Sequence, residues 1–387
     1  MVPRILTFTS LFPNAAQPMH GLFVRERVRA LSKVCAIEVV APVPWHRRVD
    51  EVERDECGFT VHHPRFFFIP KILKSLDGLF MAASCVSKVA QVREAYPFDL
   101  IDAHWAYPDG MAAALIATRL RVPFAVTVRG DDINIFAEER GRGAVIRWML
   151  RRAALVVAVS DELKARVERI TGGHPNVTVI RNGVNGDRFH PCDRDAARRR
   201  LGLDPMTRVC VSVGRLHASK GLPVLVDALA RLPDPSHDVH LFVIGAPDPE
   251  ADAREAIADR VAHHRLHGRV HLVGPQTPDR LADWYNAADL FCSATTREGS
   301  PNVLLEAMAC GLPCVTTPVG GNREAVSTSE LGLLAPPDAA ALGGAIAEAL
   351  ARTWNRQRIA EQARRRTWAV VAEECRDHLL QLVPAVS

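Results

Sequence analysis

The stretch Asp289–Thr317, DLFCSATTREGSPNVLLEAMACGLPCVTT, contains two short apolar runs separated by a loop and a helical pattern. The runs DLFCSA and PCVTT are typical of strands that are buried on both faces of a parallel sheet. Between them, NVLLEAMAC has the spacing of a helix, and Gly311 and Pro313 follow it as stop signals. A strand, a helix and a second strand in one stretch predict a βαβ unit of an α/β protein.

Two glutamates, Glu298 and Glu306, stand eight residues apart in this unit. We expect Ser300 to cap the helix and Pro301 to occupy its first position, so that Glu298 lies in the entering loop. The free amides of a first helical turn and the positive end of its dipole suit an anion, most naturally a phosphate. The two carboxylates would accept hydrogen bonds from hydroxyls beside that phosphate. A nucleotide sugar offers both a diphosphate and sugar hydroxyls.

Strand and helix patterns alternate on both sides of this stretch. Strand-like runs include RILTFTS, FDLIDAH and PFAVTV in the first half and VCVSVG, HLFVIG and LGLLA in the second. The alternation is interrupted at 180–205, which is rich in Gly, Asn, Asp and Pro. We therefore predict two Rossmann-like parallel-sheet domains, residues 1–185 and 186–365, which face a central cleft, and an amphipathic helix in 366–387. Ligands of such sheets bind beyond the carboxyl ends of the strands.

The composition is that of an ordinary soluble globular protein. The 387 residues are 48% hydrophobic and 24% charged, with a formal net charge of +4 that favours an anionic partner only weakly. Aromatic residues make up 6%, which argues against a stacking platform for nucleic acid. We find neither a signal peptide nor a run of ~20 apolar residues, and so expect a cytoplasmic protein. Nine cysteines without a CxxC pair predict buried thiols and no metal site.

A second element has the composition of a phosphate-binding loop. In VSVGRLHASKG, a strand pattern is followed by Gly214, Arg215 and Lys220. The two cations would offset the charge of a diphosphate. For either cation alone, a solvated basic loop is the alternative explanation. The loop with Glu298 lies in the same half of the chain, and this favours the binding role.

With these elements the chain resembles the GT-B glycosyltransferases, in particular the retaining family 4, or group 1. The resemblance covers nearly the whole chain. It rests on E-x7-E, formed by Glu298 and Glu306, and on VGRLHASKG, VIRNGVNGDRFHP, PVGGNREAV and TWAVVAEE. It implies a GT-B fold whose C-terminal domain binds a nucleotide-sugar donor, whose N-terminal domain binds the acceptor, and whose last helix packs back on the N-terminal domain. The acceptor would be a polysaccharide, a lipid-linked glycan or a small molecule.

The resemblance also implies roles for single residues. Glu298 and His104, in DAHWAYPDG, would be the catalytic residues beside the transferred sugar. Because basic groups and helix amides can stabilise the leaving diphosphate, we expect no metal cofactor. The residues implied in donor binding are Gly21, Gly214, Arg215, Lys220, Gly299, Ser300, Asn302 and Glu306.

One position departs from the family's pattern. Arg129, in VRGDDIN, stands where the family commonly has a histidine, and it is followed by Asp131 and Asp132. Arginine cannot act as a base at neutral pH. We therefore expect Arg129 to bind an anionic group of the acceptor or to pair with Asp131 or Asp132, and we take Arg129 and Asp132 as acceptor-side candidates.

Other interpretations stay open at this point. A GT-B nucleotide-sugar epimerase and a non-catalytic nucleotide-binding Rossmann protein would share the same pattern. The pair Asp193 and Asp195 forms a D-x-D motif, but it precedes AARRRLGL and predicts a helix start rather than a metal site.

The segment 62–80, HHPRFFFIPKILKSLDGLF, places three phenylalanines beside Arg65, Lys71 and Lys74. This combination favours peripheral contact with an anionic membrane on its inner face. An ordinary buried strand with solvated lysines is the alternative.

Overall fold

The computed structural model describes residues 2–174, 176–233, 238–249 and 251–383. The chain forms two compact units. Unit 1 comprises Met1–Gly183 and Trp368–Ser387, and unit 2 comprises Val184–Thr367. Each unit contains a mainly parallel sheet with helices connecting its strands, so the predicted α/β class is confirmed.

The main sheet of unit 1 has the order β10-β9-β8-β7-β1-β2-β5-β4, and every neighbouring pair is parallel except β4 with β5. A short parallel pair, β3 with β6, lies outside it. The strands β7 and β8 are buried along their whole lengths, as for strands covered on both faces, and β7 carries the polar residues Asp102 and His104 within this buried run. The strands are β1 Arg4–Phe8, β2 Ala36–Val40, β3 Val43–Pro44, β4 Val52–Arg54, β5 Thr60–His62, β6 Arg65–Phe66, β7 Leu100–His104, β8 Phe124–Val128, β9 Leu155–Ala158 and β10 Val177–Val179.

The α-helices of unit 1 include the last helix of the chain. They are α1 Leu22–Leu31, α2 Asp77–Ala95, α3 Met111–Leu120, α4 Asp131–Asn134, α5 Arg140–Leu150, α6 Asp161–Thr171 and α15 Trp368–Leu380. Helix α15 packs against α1. Its side chains Trp368 and Val371 enter one hydrophobic cluster with Ile5 of β1 and Val24 of α1. This packing makes the C-terminal segment part of unit 1.

The sheet of unit 2 has the order β13-β12-β11-β14-β15-β16, and all its pairs are parallel. Its strands are β11 Arg208–Val213, β12 Val239–Ile244, β13 Val270–Gly274, β14 Leu290–Cys292, β15 Cys314–Thr316 and β16 Gly332–Leu334. Its α-helices are α7 Arg194–Leu201, α8 Leu222–Leu229, α9 Arg254–His263, α10 Pro278–Ala287, α11 Asn302–Ala309, α12 Asn322–Ala325, α13 Ala339–Ala351 and α14 Arg356–Arg364.

The predicted start of α11 is wrong by one residue. The helix begins at Asn302, with Pro301 as its N-cap and no capping side chain, so Ser300 is not the cap. The reason is the backbone of Pro301, whose ψ of 77° lies outside the helical region. The C-terminal end matches the expectation, because Gly311 has a φ of +76° immediately after the cap residue Cys310.

The D-x-D motif and most of the cysteines lie as the sequence predicts. The Asp193 side chain accepts a hydrogen bond from the amide of Ala196 and caps α7, so the D-x-D motif is a helix start as predicted. Seven cysteines are buried, while Cys57 and Cys192 are exposed. Within the described residues, every helix is too short or too polar to cross a membrane.

Candidate functional site

The strand order of unit 2 changes direction between β11 and β14. The chain runs outward from β11 through β12 to β13, then returns to the other side of β11 with β14 and continues to β15 and β16. The loops that leave the carboxyl ends of β11 and β14 therefore diverge, and such a switch point is where open α/β sheets bind ligands. These two loops carry the predicted residues Lys220 and Glu298.

Hydrogen bonds tie the two loops together. The carbonyl of Ser219 accepts from the amide of Thr296 at 2.9 Å and from the Thr295 hydroxyl at 3.2 Å. Gly221 has a φ of +61°, and a Cβ there would lie 2.2 Å from the carbonyl oxygen of Ala294. Only glycine permits this approach. These contacts hold the basic loop, residues 214–221, beside the glutamate loop, residues 293–301.

Lys220 and Glu298 form an ion pair at this point. The Lys220 Nζ lies 3.0 Å from Glu298 Oε2, and both side chains are largely shielded from solvent. Lys220 is also the only lysine in 184–367, where all other basic side chains apart from histidine are arginines. An ammonium group has three N–H donors, so the pair leaves two that can reach phosphate oxygens.

Arg215 is held by a different carboxylate. Its Nη1 donates to Asp248 Oδ2 at 2.7 Å, and Asp248, in the loop after β12, is 3% exposed while the Arg215 side chain is 70% exposed. The buried carboxylate anchors one edge of a solvent-facing guanidinium. The remaining N–H groups of Arg215 can serve an anion.

Glu306 lies on α11 and contacts a buried tyrosine of α10. The hydroxyl of Tyr285 donates to Glu306 Oε2 at 3.2 Å. Tyr285 is fully buried, and this burial, with the nearby charge of Glu306, raises the pKa of its hydroxyl well above the ordinary value. The phenol therefore acts as a permanent donor that orients the carboxylate of Glu306.

Two glycines of PVGGNREAV shape the glutamate loop. A Cβ on Gly320 would lie 1.7 Å from the carbonyl oxygen of Glu298, and one on Gly321 would lie 2.8 Å from that of Gly299. The turn therefore packs its backbone directly against the loop. In the same loop the amide of Asn302 donates to the carbonyl of Ser300 at 3.0 Å.

Gly214 follows β11 with a φ of +154°, and its carbonyl lies close to Gly245. Its carbonyl oxygen would lie 1.8 Å from a Cβ on Gly245, the residue that follows β12. Gly245 permits this approach of the two strand ends, and Gly214 supplies the positive φ.

Unit 1 has its own switch point, between β1 and β7. The loop after β1 leads to Gly21, which precedes α1 with a φ of +69°. A Cβ there would lie 2.2 Å from the carbonyl oxygen of Leu11. Asp109 anchors the start of this loop, because its carboxylate accepts hydrogen bonds from the amide and the hydroxyl of Ser10. Complete burial raises the pKa of Asp109 to about 7.

His104 is the last residue of β7 and is 0% exposed. Its Nδ1 accepts from Arg129 Nη2 at 2.7 Å, and its Nε2 lies 3.3 Å from Asp102 Oδ2. Because an arginine donates to Nδ1, the proton of the neutral ring is on Nε2. Burial, opposed by the carboxylate of Asp102 and assisted by the charge of Arg129, lowers the pKa of His104 to about 4, so the ring is neutral at pH 7.

Arg129 does not form the ion pair that was one of its two expected roles. Its guanidinium donates to His104 and, at 3.4 Å, to Asn182 Oδ1, and it lies over the ring of Phe23 at 5.0 Å. Burial lowers its pKa to about 9, and the charge of Arg27 contributes, but the group stays protonated at neutral pH. At 7% exposure Arg129 is a buried cation that fixes His104.

Asp132 organises the backbone around Arg129. Its carboxylate accepts from the amides of Ala106 and Gly130, both at 2.8 Å, and from the amide of Arg129 at 3.1 Å. Asp132 is 0% exposed, so it joins the loops after β7 and β8 rather than presenting a carboxylate at the surface.

The sequence reasoning missed the residues that hold the predicted ones. These are Tyr285, Asp248, Asn182 and Asp109. Asp109 and Asn182 carry a signal in the sequence, because they lie in the quoted motifs DAHWAYPDG and VIRNGVNGDRFHP, whereas Tyr285 and Asp248 lie outside the quoted motifs. Within the described part of the chain, no group of three or more His, Cys, Asp or Glu side chains is arranged to hold a metal ion.

Comparison with known proteins gives matches along both units. The family described as "Glycosyl transferases group 1" matches residues 193–366, and "Glycosyltransferase Family 4" matches residues 21–188. The "Putative teichuronic acid biosynthesis glycosyltransferase TuaC" of Bacillus subtilis (strain 168) is 31% identical over 361 residues, which are 89% of this chain and 88% of that protein.

Solved structures share the fold at lower identity. Sucrose-phosphate synthase from Thermosynechococcus elongatus aligns with a TM-score of 0.83 and 23% identity over 99% of both chains. Anabaena Alr3699/HepE in complex with UDP aligns with a TM-score of 0.76 and 21% identity, over 98% of this chain and 100% of that one.

Proposed function

Because this chain belongs to the family 4, or group 1, glycosyltransferases, which transfer sugars from nucleotide-sugar donors, we propose that it does so with retention of anomeric configuration. Unit 2 would bind the donor and unit 1 the acceptor. The observation that carries the donor assignment is the Lys220–Glu298 pair at the β11/β14 switch point. The ammonium group of Lys220 would bind the diphosphate, and the carboxylate of Glu298 would accept hydrogen bonds from the hydroxyls of the adjacent sugar.

The proposed chemistry places positive charge on the leaving group. The bond between the anomeric carbon and the diphosphate oxygen breaks, and a bond from that carbon to an acceptor oxygen forms on the same face. The acceptor proton passes to the leaving phosphate oxygen. Lys220 and Arg215 would stabilise the developing negative charge, as groups fixed in advance by Glu298 and Asp248. We also propose that the transfer requires no metal ion.

The remaining donor candidates have defined places in the proposal. Glu306 would bind the ribose hydroxyls in the orientation set by Tyr285. Gly214, Gly299, Ser300 and Asn302 would line the phosphates with backbone groups, and Gly21 would provide the glycine loop of unit 1.

Glu298 would contact the transferred sugar, whereas His104 and Asp132 would act on the acceptor side by positioning. The complete burial of His104 and Asp132 supports their positioning roles. His104 hydrogen-bonds the guanidinium of Arg129, and Asp132 accepts from backbone amides of the same loop. A catalytic role of His104 by direct contact with the sugar remains a prediction of the resemblance.

A UDP-sugar is the first donor to test, since Anabaena Alr3699/HepE was solved with UDP. The purified protein would be incubated with UDP-glucose, UDP-galactose and GDP-mannose, and release of free nucleoside diphosphate would be measured. For a donor that is turned over, NMR of the product would give the anomeric configuration. Inversion would overturn the retaining mechanism, and conversion of the donor to an epimer without release of nucleotide would favour the epimerase.

We also propose that the acceptor is a growing surface polysaccharide or another glycan carried on a lipid. The similarity to TuaC supports a polysaccharide. The surface of unit 1 supports a lipid carrier, because it exposes an apolar patch of Trp45, Phe67, Ile72, Leu73 and Leu79, each about half accessible to solvent.

Basic residues adjoin this patch. Arg65 and Lys71 are exposed, while Lys74 pairs with Asp77 at 2.9 Å and lies over the ring of Phe68. Lys71 and Leu73 also have positive φ values of 67° and 52°, which are uncommon for side chains of this size. The loop thus holds apolar side chains in water at a conformational cost, and apolar side chains beside cations suit the interface of an anionic membrane.

Flotation with vesicles of anionic phospholipid tests this membrane contact. We expect the wild type to float at low salt and less at physiological salt. The double variant Ile72→Ser/Leu73→Ser should float less. The control Met206→Ser removes an apolar side chain of unit 2 that is 81% exposed, and it should float like the wild type. Equal flotation of the patch variant and the wild type would exclude the patch as the contact.

A further inference from the structure

A recess of unit 2 lies at the amino end of strand β11, whereas the Lys220–Glu298 pair lies beyond its carboxyl end. It measures about 480 Å³ including its open mouth, and its lining contains Arg208, Arg352 and Arg356 together with Trp354 and Asp289. Arg208 is the first residue of β11, whereas the loop with Lys220 follows the last residue, Val213. Five steps along a strand span roughly 17 Å, so the recess is separate from the candidate donor site.

Most side-chain N–H donors of the three arginines have no acceptor among the described residues. Arg208 uses Nη1 for the carbonyl of Leu350 at 2.6 Å, and Arg356 uses Nη1 for the carbonyl of Ala288 at 3.0 Å. The backbone amide of Arg352 donates to the carbonyl of Glu348, but its guanidinium makes no hydrogen bond to any described residue. A guanidinium carries five N–H donors, so the recess is lined by more N–H donors than these hydrogen bonds use.

Arg352 is nonetheless held in place. Its guanidinium carbon lies 4.4 Å from the centre of the Trp354 ring, a contact that stabilises a cation through the face of the indole. The N–H groups of a guanidinium lie in its plane. A guanidinium that lies over a ring therefore keeps N–H donors available for the oxygens of a phosphate.

The carboxylate in the lining does not balance these charges. Asp289 already pairs with Arg194 and Arg198, the latter at 3.0 Å, and it accepts from the amide of Val209 at 2.8 Å. The pKa of Arg356 is lowered by burial and by the charges of Arg194 and Arg198. The carboxylate of Asp289 opposes this shift, but it is shared with Arg194 and Arg198. Cations therefore outnumber the carboxylate of the lining, so a further anion would be favourable here.

We propose that this recess is a binding site for a phosphate-bearing anion, separate from the donor site. Arg208, Arg352 and Arg356 would donate to the phosphate oxygens, with Trp354 as the platform of Arg352. Helix α14 begins at Arg356, so the positive end of its dipole lies at the same place and adds to the attraction.

Thermal unfolding in the presence of inorganic phosphate tests the proposal. Phosphate would be titrated at constant ionic strength, kept with sodium chloride, because a ligand that binds the folded state raises the unfolding temperature. The test variant is Arg208→Gln/Arg352→Gln, which changes two exposed side chains and leaves the half-buried Arg356 in place. Arg254→Gln is the matched control, an exposed arginine of α9 that pairs with Asp252.

We expect phosphate to raise the unfolding temperature of the wild type and of Arg254→Gln alike. In the double variant the half-saturating phosphate concentration should rise by about tenfold or more, as for the loss of charge-assisted hydrogen bonds. Lys220→Ala separates the two sites, and it should keep the phosphate effect. The proposal is overturned if phosphate does not stabilise the wild type, if the double variant responds like the wild type, or if Lys220→Ala alone removes the response.

Discussion

Replacing Tyr285 by phenylalanine tests whether the buried phenol positions Glu306 for the nucleotide. The change removes one hydroxyl, which donates to Glu306 Oε2 at 3.2 Å, and keeps the ring. The ring packs against Phe189 and Phe291, with centroid distances of 5.9 and 6.4 Å, and these contacts do not involve the hydroxyl. The variant should therefore fold with wild-type packing.

The size of the effect follows from the bond that is lost. A hydrogen bond to a charged group contributes about 1.5–3 kcal/mol, and a 3.2 Å bond belongs at the lower end. If the whole bond serves to orient Glu306, the dissociation constant for the nucleotide rises by roughly tenfold. Turnover at saturating donor should change less, because contacts to ribose change little during the reaction.

Calorimetry with UDP on four proteins measures this coupling: wild type, Tyr285→Phe, Glu306→Gln and the double variant. If the phenol acts through the carboxylate, the double variant should lose no more affinity than Glu306→Gln alone. Tyr96→Phe is the matched control, a phenol of unit 1 whose ring packs under Arg4. Unchanged affinity in Tyr285→Phe, or full additivity of the two losses, would refute the positioning role.

Three further changes have defined outcomes. Lys220→Ala should lower the initial rate of donor turnover by about a hundredfold, the scale for one preorganised charge-stabilising donor, while Lys164→Ala leaves it unchanged; equal rates would remove Lys220 from the mechanism. Gly21→Ala should destabilise unit 1 by about 1–3 kcal/mol in urea unfolding, since its φ is +69° and the new Cβ would meet the Leu11 carbonyl; a smaller loss would contradict the strain. For Asp109, whose pKa rises from 3.8 in the unfolded chain to about 7 when folded, stability should fall as pH increases from 4 to 7, because the unfolded chain releases this proton first. The difference in stability between wild type and Asp109→Asn, measured by urea unfolding at each pH, should change over that range, and a constant difference would exclude Asp109 as the source.

The sequence predicted the strands well because these buried parallel strands are short, mainly apolar runs. The run FDLIDAH became β7 and PFAVTV became β8, each with five residues. The end of α11 was predictable too, since Gly311 has the positive φ that glycine adopts readily. Its start was not, because Pro301 can serve as a first helical residue or as the residue before it, and the glutamate loop decides between these through its packing on Gly320 and Gly321.

The candidate site, too, could be predicted from the sequence only in part. Lys220 and Glu298 were predictable as residues because each follows a strand, and parallel strands bring such loops to one edge of a sheet. That they bind each other was not predictable, since 78 residues separate them and nothing in the local pattern specifies the pair. Tyr285 and Asp248 were missed for a related reason, because their surroundings predict a helix and a loop but not a partner.

The position of Arg129 shows what burial adds to a motif. The sequence identified the replacement of the usual histidine and offered two partners for the new cation, an acceptor anion or a neighbouring aspartate. The structure gives it a third partner, His104, because β7 and β8 are adjacent in the sheet and end at the same level. A protonated arginine at 2.7 Å fixes the imidazole as a neutral acceptor, so a proton on Nδ1 would have to displace that donor. The replacement therefore changes the acid-base chemistry available at this end of the sheet: it removes a titrating imidazole at position 129 and holds the one at position 104 neutral, which leaves the leaving phosphate as the proposed acceptor of the proton.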